Sequence, residues 1–239
     1  MRLLDTLTAE EIAARLAGPP AARAAFLRAA AEEGHAEAQA VYAQMLLDGV
    51  GVAADPAAAF GWFRRAAAQH HLMALNMVGR CYELGWGVAV DMGRAATCFR
   101  LAAERGLAEG MYNYATRLTL GEGVVQDRAA ALAWFDRAAD MGYAKAINYV
   151  GSFAEDGWAG PRDMARAADC YARAAAGGDF RGAFNHARML HAAGDAKAAR
   201  DWFARAAAEG TPAFRAKMID WLRAADGGEL RTLADALDR

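Results

Sequence analysis

Apolar and polar positions follow one order in five stretches of this chain. Each opens on an aspartate, runs through alanines to an aromatic or cysteine pair, and closes on an alanine pair. The first, from Asp55, reads D-P-A-A-A-F-G-W-F-R-R-A-A. D-M-G-R-A-A-T-C-F-R-L-A-A follows from Asp91, D-R-A-A-A-L-A-W-F-D-R-A-A from Asp127 and D-M-A-R-A-A-D-C-Y-A-R-A-A from Asp163, each 36 residues on. The fifth, D-A-K-A-A-R-D-W-F-A-R-A-A from Asp195, comes after 32. Self-similarity at such a period predicts a helical solenoid, in which each unit covers its neighbour's apolar face.

Each unit predicts two helices, as in Leu107 to Leu120 and Arg128 to Asp140. The first ends on a glycine-rich loop: G-V-G-V from Gly49, G-W-G-V from Gly85, G-E-G-V from Gly121. The leading glycine suits a left-handed helix C-terminus, and the second is expected to keep the connection flexible. The aspartates fall where N-caps belong, and Pro56 fits the first helical position. Second helices should end at Gly34, His70, Gly106, Gly142, Gly178 and Gly210. Ala22 to Gly34 resembles another second helix, with Leu7 to Ala17 its degenerate partner, and Pro212 to Ala225 and Glu229 to Leu237 close the other end. The expected organisation is an N-terminal cap over 1–21, a solenoid over 22–210 (units near 34–69, 70–105, 106–141, 142–177 and 178–209) and C-terminal capping helices over 211–239. That makes about fourteen helices.

Composition supports a large core, with 56% hydrophobic residues and five prolines. The 27 basic and 29 acidic residues leave a net charge of −2, without the basic stripe that grips nucleic acid. The start M-R-L-L-D-T-L-T-A-E-E lacks an apolar signal core, and no run is long and apolar enough for a membrane span. Cys81, Cys98 and Cys170 are widely spaced, so a reducing cytoplasm is expected. A periplasmic location requires a signal peptide upstream.

The motifs A-A-E-E-G-H-A-E-A-Q (Ala30 to Gln39), V-G-R-C-Y (Val78 to Tyr82), G-W-G-V (Gly85 to Val88) and W-F-D-R-A-A (Trp134 to Ala139) recur in register. The chain thereby resembles the Sel-like repeat family, relatives of the tetratricopeptide repeats, over about Ala22 to Gly210. The resemblance implies an all-α, right-handed α–α superhelix of about five helix pairs, serving as a binding scaffold for proteins. It also implies, through secreted bacterial members, contact with peptidoglycan fragments as the alternative role. The regular cysteines of the disulfide-bearing branch are missing. The fourth copy departs at Gly157-Trp158-Ala159-Gly160, and the fifth lacks the glycine pair, so those loops are expected to differ.

Catalytic chemistry finds no foothold in the sequence. His186 and His191 are five apart, about 140° around a helix, which suits no shared metal. No Walker lysine follows the glycine loops. Cys98 and Cys170 stand where Trp62, Trp134 and Trp202 stand in other copies, and read as small core residues. No enzyme, cofactor or metal is expected.

A binding line is legible instead on the first helices, which by architectural analogy face the concave side. Asn76, Asn113, Asn148 and Asn185 place one weak helix former in each of four consecutive units. Tyr112, Tyr149 and Phe184 lie beside them, and Arg80, Arg117 and Arg188 a turn later. Met45, Met73 and Met77 are expected to add adaptable surface. The asparagine amides suit a peptide backbone and the arginines a carboxylate-rich segment; bridging between repeats is the other use open to the asparagines. The expected partner is a protein or peptide held by an adaptor. Leu75 to Gly79 matches Ile147 to Gly151, and Met111 to Ala115 matches Ala183 to Ala187, both at 72 residues, which predicts a two-unit rhythm. Trp86 and Trp158, also 72 apart, either form a second contact edge or fold back over the neighbouring unit.

Overall fold

Helices of thirteen residues, about 20 Å long, are the repeated product of this sequence. A computed structural model of the chain describes residues 3–225 and 228–238. Among the described residues it holds fourteen α-helices, one short 3-10 turn at Leu3–Thr6 and no strand. The helices are α1 (Ala9–Leu16), α2 (Pro20–Glu32), α3 (Ala36–Asp48), α4 (Pro56–Ala68), α5 (Leu72–Leu84), α6 (Met92–Glu104), α7 (Ala108–Leu120), α8 (Arg128–Asp140), α9 (Ala144–Asp156), α10 (Met164–Ala176), α11 (Phe180–Ala192), α12 (Ala196–Glu209), α13 (Pro212–Ala224) and α14 (Gly228–Leu237). Two compact units divide after Asp127. In the N-terminal unit each helix from α2 to α7 packs on the next; in the C-terminal unit α8 to α12 do the same, and α13 packs on α14.

Local chemistry sets the helix ends. Asp55, Asp91, Asp163 and Asp195 each accept a hydrogen bond from the backbone N–H three residues on, at 2.9–3.0 Å. Such a cap stabilises a helix by about 1 kcal/mol. The same aspartates donate their own N–H groups back to the preceding helix, to the carbonyls of Leu46, Tyr82, Ala154 and Leu190. The loop is therefore tied at both ends. Asp195 keeps that tie although its loop is four residues shorter, which is how the 32-residue copy stays in register. Gly49, Gly85, Gly121 and Gly157 close the first helices in the left-handed conformation. Gly34, Gly106, Gly142 and Gly178 do so for second helices. His70 adopts φ 65° at the same position, the one non-glycine there, whereas Gly210 is extended.

The second loop glycine has a different use from the one expected. Gly51, Gly87 and Gly123 are left-handed, and each lies directly on the backbone carbonyl of Pro20, Pro56 or Met92, the first residue of the preceding second helix. A Cβ on any of them would overlap that carbonyl. The glycine permits a close backbone approach, not flexibility. In the fourth copy Gly160 touches nothing in this way, so that loop keeps only the left-handed cap at Gly157 and the tie through Asp163.

An aromatic residue at one repeat position fills the core of each unit. Phe63 and Phe99 in the N-terminal unit, and Phe135, Tyr171 and Phe203 in the C-terminal unit, occupy one repeat position and are all buried. Alanines four before and three after each, from Ala59 and Ala66 to Ala199 and Ala206, are also buried and let the helices approach closely. The two-unit rhythm is visible in this packing. Gly79 meets the ring of Phe99 and the Cβ of Cys98; Gly151 meets Tyr171 and Cys170 identically. Where tryptophan replaces that cysteine, an arginine three residues on stacks over it: Arg65 on Trp62 at 4.4 Å and Arg137 on Trp134 at 4.3 Å. Burial pushes the thiols of Cys81 and Cys98 up to about 11, and raises Cys170 as well, so all three stay protonated near neutrality.

Candidate functional site

The four asparagines bond to one another in pairs. Asn113 Nδ2 donates to Asn76 Oδ1 at 2.8 Å in the N-terminal unit, and Asn185 Nδ2 donates to Asn148 Oδ1 at 2.9 Å in the C-terminal unit. Asn76 and Asn148 are 3% and 4% exposed; Asn113 and Asn185 are half-buried. The bridging use is therefore present in both units, and it recurs at the 72-residue spacing.

The arginines are engaged within the chain. Arg117, 8% exposed, lies between Glu83 at 3.3 Å and Glu122 at 2.6 Å. Its repeat column explains this: Cys81 and Phe153, 36 residues to either side, are core residues. Arg80 and Arg188 belong to the neighbouring column, about 100° around the helix. Arg188 donates to Glu155 at 2.8 Å and to Asn185 Oδ1 at 3.1 Å. Arg80 covers Trp86 at 5.3 Å, with Glu83 at 4.0 Å. Met45 corrects the expectation of a surface methionine: it is buried in the N-terminal core, whereas Met73 is exposed and Met77 half-buried. Tyr112 is half-buried on α7, its carbonyl taken by Thr116.

In the C-terminal unit the binding line opens into a cleft of about 320 Å³. Asn148, Tyr149, Phe184 and Asn185 line it, together with Ser152, Trp158, Arg181 and Phe214. Tyr149 stacks on Phe135 at 4.8 Å, while Phe184 meets Phe214 at 5.9 Å and Trp221 at 5.2 Å edge to face. Trp158 folds back from its loop onto Phe153 at 5.2 Å, beneath Arg128 at 5.4 Å. Trp86 likewise packs against the N-terminal core and borders a second cleft, of about 470 Å³, with Gln44, Leu47, Met77 and Arg80. Sequence reading missed Arg181 and Phe214. Arg181 sits in the first turn of α11, off the repeating line, and Phe214 belongs to a capping helix outside the repeat.

Below the C-terminal cleft runs a polar relay. The buried Tyr171 hydroxyl donates to Glu155 Oε2 at 2.6 Å, Arg188 donates to Oε1, and Arg188 continues to Asn185 and Asn148. Burial pushes the Glu155 carboxyl up, but the hydrogen bonds from Tyr171 and Arg188 outweigh it and hold the group below the usual carboxylate range. A lowered folded pKa gives stability that is complete above the unfolded value, about 4.3, and is lost as pH falls through the folded one. The stability gap between wild type and Glu155→Gln should therefore narrow from pH 5 downward in urea titrations. A gap independent of pH would show that the carboxylate contributes nothing through its charge.

Residues 36–71, 72–107, 108–143, 144–179 and 183–211 match the Sel1 repeat model, and the chain belongs to that family of helical-repeat proteins. The frames open on the first helices, two residues after Gly34 and its counterparts in the first four units. No curated protein matches the chain in sequence. Among solved structures, a Sel1 repeat protein from Oxalobacter formigenes is 24% identical, with a TM-score of 0.75 over 91% of this chain and 98% of that one. The protective antigen c5321 of uropathogenic Escherichia coli, displaying an SLR fold, is 25% identical with a TM-score of 0.68. That match covers 91% of this chain, which spans only 49% of the antigen. The immunity protein Pa5087 of Pseudomonas aeruginosa is 21% identical, with a TM-score of 0.56 over 96% of this chain and 80% of that one.

Proposed function

We propose that this Sel1 repeat protein is a non-enzymatic scaffold that holds a protein or peptide segment in the C-terminal cleft, acting in the cytoplasm. The observation that carries the reading is the convergence of four sequence-derived binding residues, Asn148, Tyr149, Phe184 and Asn185, on one aromatic-walled cleft. Its volume suits a few side chains. Aromatic and arginine residues are the types enriched where proteins meet. Arg117 and Arg188 serve the fold through their internal carboxylates, so recognition falls to the cleft's exposed rim.

The test compares partners captured from the native organism by wild type and by a Trp158→Ala/Arg181→Gln variant. Arg181 is exposed, and Trp158 meets the core only by its edge on Phe153, so the variant should stay folded, melting somewhat below wild type, while losing at least one specific partner. Retention of every partner by that folded variant would overturn the cleft assignment. Fractionation of the native cells checks the compartment: recovery only with the envelope contradicts a cytoplasmic role.

A further inference from the structure

We infer that the C-terminal cleft selects an internal peptide segment carrying a side-chain carboxylate beside a large apolar side chain; this rests on the cleft being the binding site. The cleft combines two unused donors with apolar walls. Asn148 is 4% exposed, and its Oδ1 is taken by Asn185, yet its Nδ2 has no acceptor among the described residues. That nitrogen is not sealed in the interior, and the residue lines the cleft. The amide N–H groups open to the cleft can therefore be given to a ligand oxygen in place of water.

Arg181 supplies the second donor group. Its guanidinium lies over Phe180 at 4.5 Å and within 6.0 Å of Phe214, so two ring faces hold it at the rim. Among the described residues no carboxylate reaches it within ion-pair distance. Asp179, its near neighbour in sequence, is buried and accepts from Gly182 at 2.8 Å. Of the other charges beside the cleft, Glu155 is matched by Arg188, and Arg128 lies over the ring of Trp158. Arg181 is thus a cation with no ion pair among the described residues, acting on the Asp179 carboxylate only at longer range, and its guanidinium suits a ligand carboxylate through paired N–H bonds. Tyr149, Phe184 and Phe214 wall the same space, which calls for an apolar side chain next to the acid. The cleft is open rather than enclosed, so it does not demand a chain end.

The experiment is selection of a phage-displayed random heptapeptide library on the full chain, followed by fluorescence polarisation with an enriched peptide. Enriched sequences should pair an aspartate or glutamate with an aromatic or large aliphatic residue. Changing that acid to its amide should weaken binding to wild type about tenfold or more, and binding to Arg181→Gln less than twofold. Amidating the peptide's C-terminus should change nothing. Loss on amidation, equal loss in both proteins, or enrichment without acidic residues each overturns the inference while leaving the cleft as a binding site. If Trp158→Ala and Arg181→Gln both bind every enriched peptide as wild type does, or no peptide is enriched over bare support, the cleft reading falls and the inference falls with it.

Discussion

Replacing Gly123 with alanine is expected to destabilise the protein by about 3 kcal/mol or more, through two effects that add. The residue sits at φ 74°, where a Cβ costs about 1–2 kcal/mol. The new methyl also overlaps the carbonyl of Met92, which is backbone at a helix start and cannot rotate away. The loop must lift off α6, loosening the contact between neighbouring repeats on which a helical-repeat core depends. For a chain of this size the loss corresponds to roughly 6–12 °C in melting temperature. Differential scanning calorimetry checks it, with Gly160→Ala as the control, since nothing lies within reach of a Cβ there and φ is not left-handed. Equal melting of both variants would show that the close approach contributes nothing.

Removing the Arg117 side chain should cost about 3 kcal/mol, because truncating one partner of a buried ion pair strands the other. Arg117→Ala leaves Glu83, itself largely covered, with only the longer contact to Arg80 at 4.0 Å, and opens a hole at a repeat position that Cys81 and Phe153 fill in other copies. Glu122 loses less, since it is about half exposed. Adding Glu83→Gln to Arg117→Ala should recover part of the loss, which equilibrium urea unfolding of the single and double variants would measure. An arginine kept only for a ligand predicts the opposite: unchanged stability and weakened binding. The two outcomes separate a role in the fold from a role in recognition.

Arg117 also shows where sequence reading stops. Grouped with Arg80 and Arg188 by type, it looks like part of a binding line. Grouped by register, it falls 36 residues from Cys81 and from Phe153, and the repeat itself marks it as inward-facing. The asparagines were legible as a series, one per unit, but their use was not. Whether Asn113 points at Asn76 or at a ligand depends on how far α7 is rotated and displaced against α5, and no local propensity encodes that. The second loop glycines give the same lesson. Their positive φ is a local preference, but the carbonyl each one lies against belongs to a helix about thirty residues earlier. The cleft depends on Phe214, from a capping helix that shares no register with the repeats, so periodicity could not find it.

The sequence alone determined helix number, helix ends, the 36-residue unit and its 72-residue rhythm. These rest on contacts within a few residues or on a pattern repeated often enough to stand out. Only the tertiary structure decided which asparagine amides, Asn76 and Asn148, keep a nitrogen without an acceptor among the described residues, which of the two lines a cleft, and which arginines are already paired. Those outcomes depend on distances of 3 Å between helices far apart in sequence, where a rotation of one residue turns a surface group into a core group.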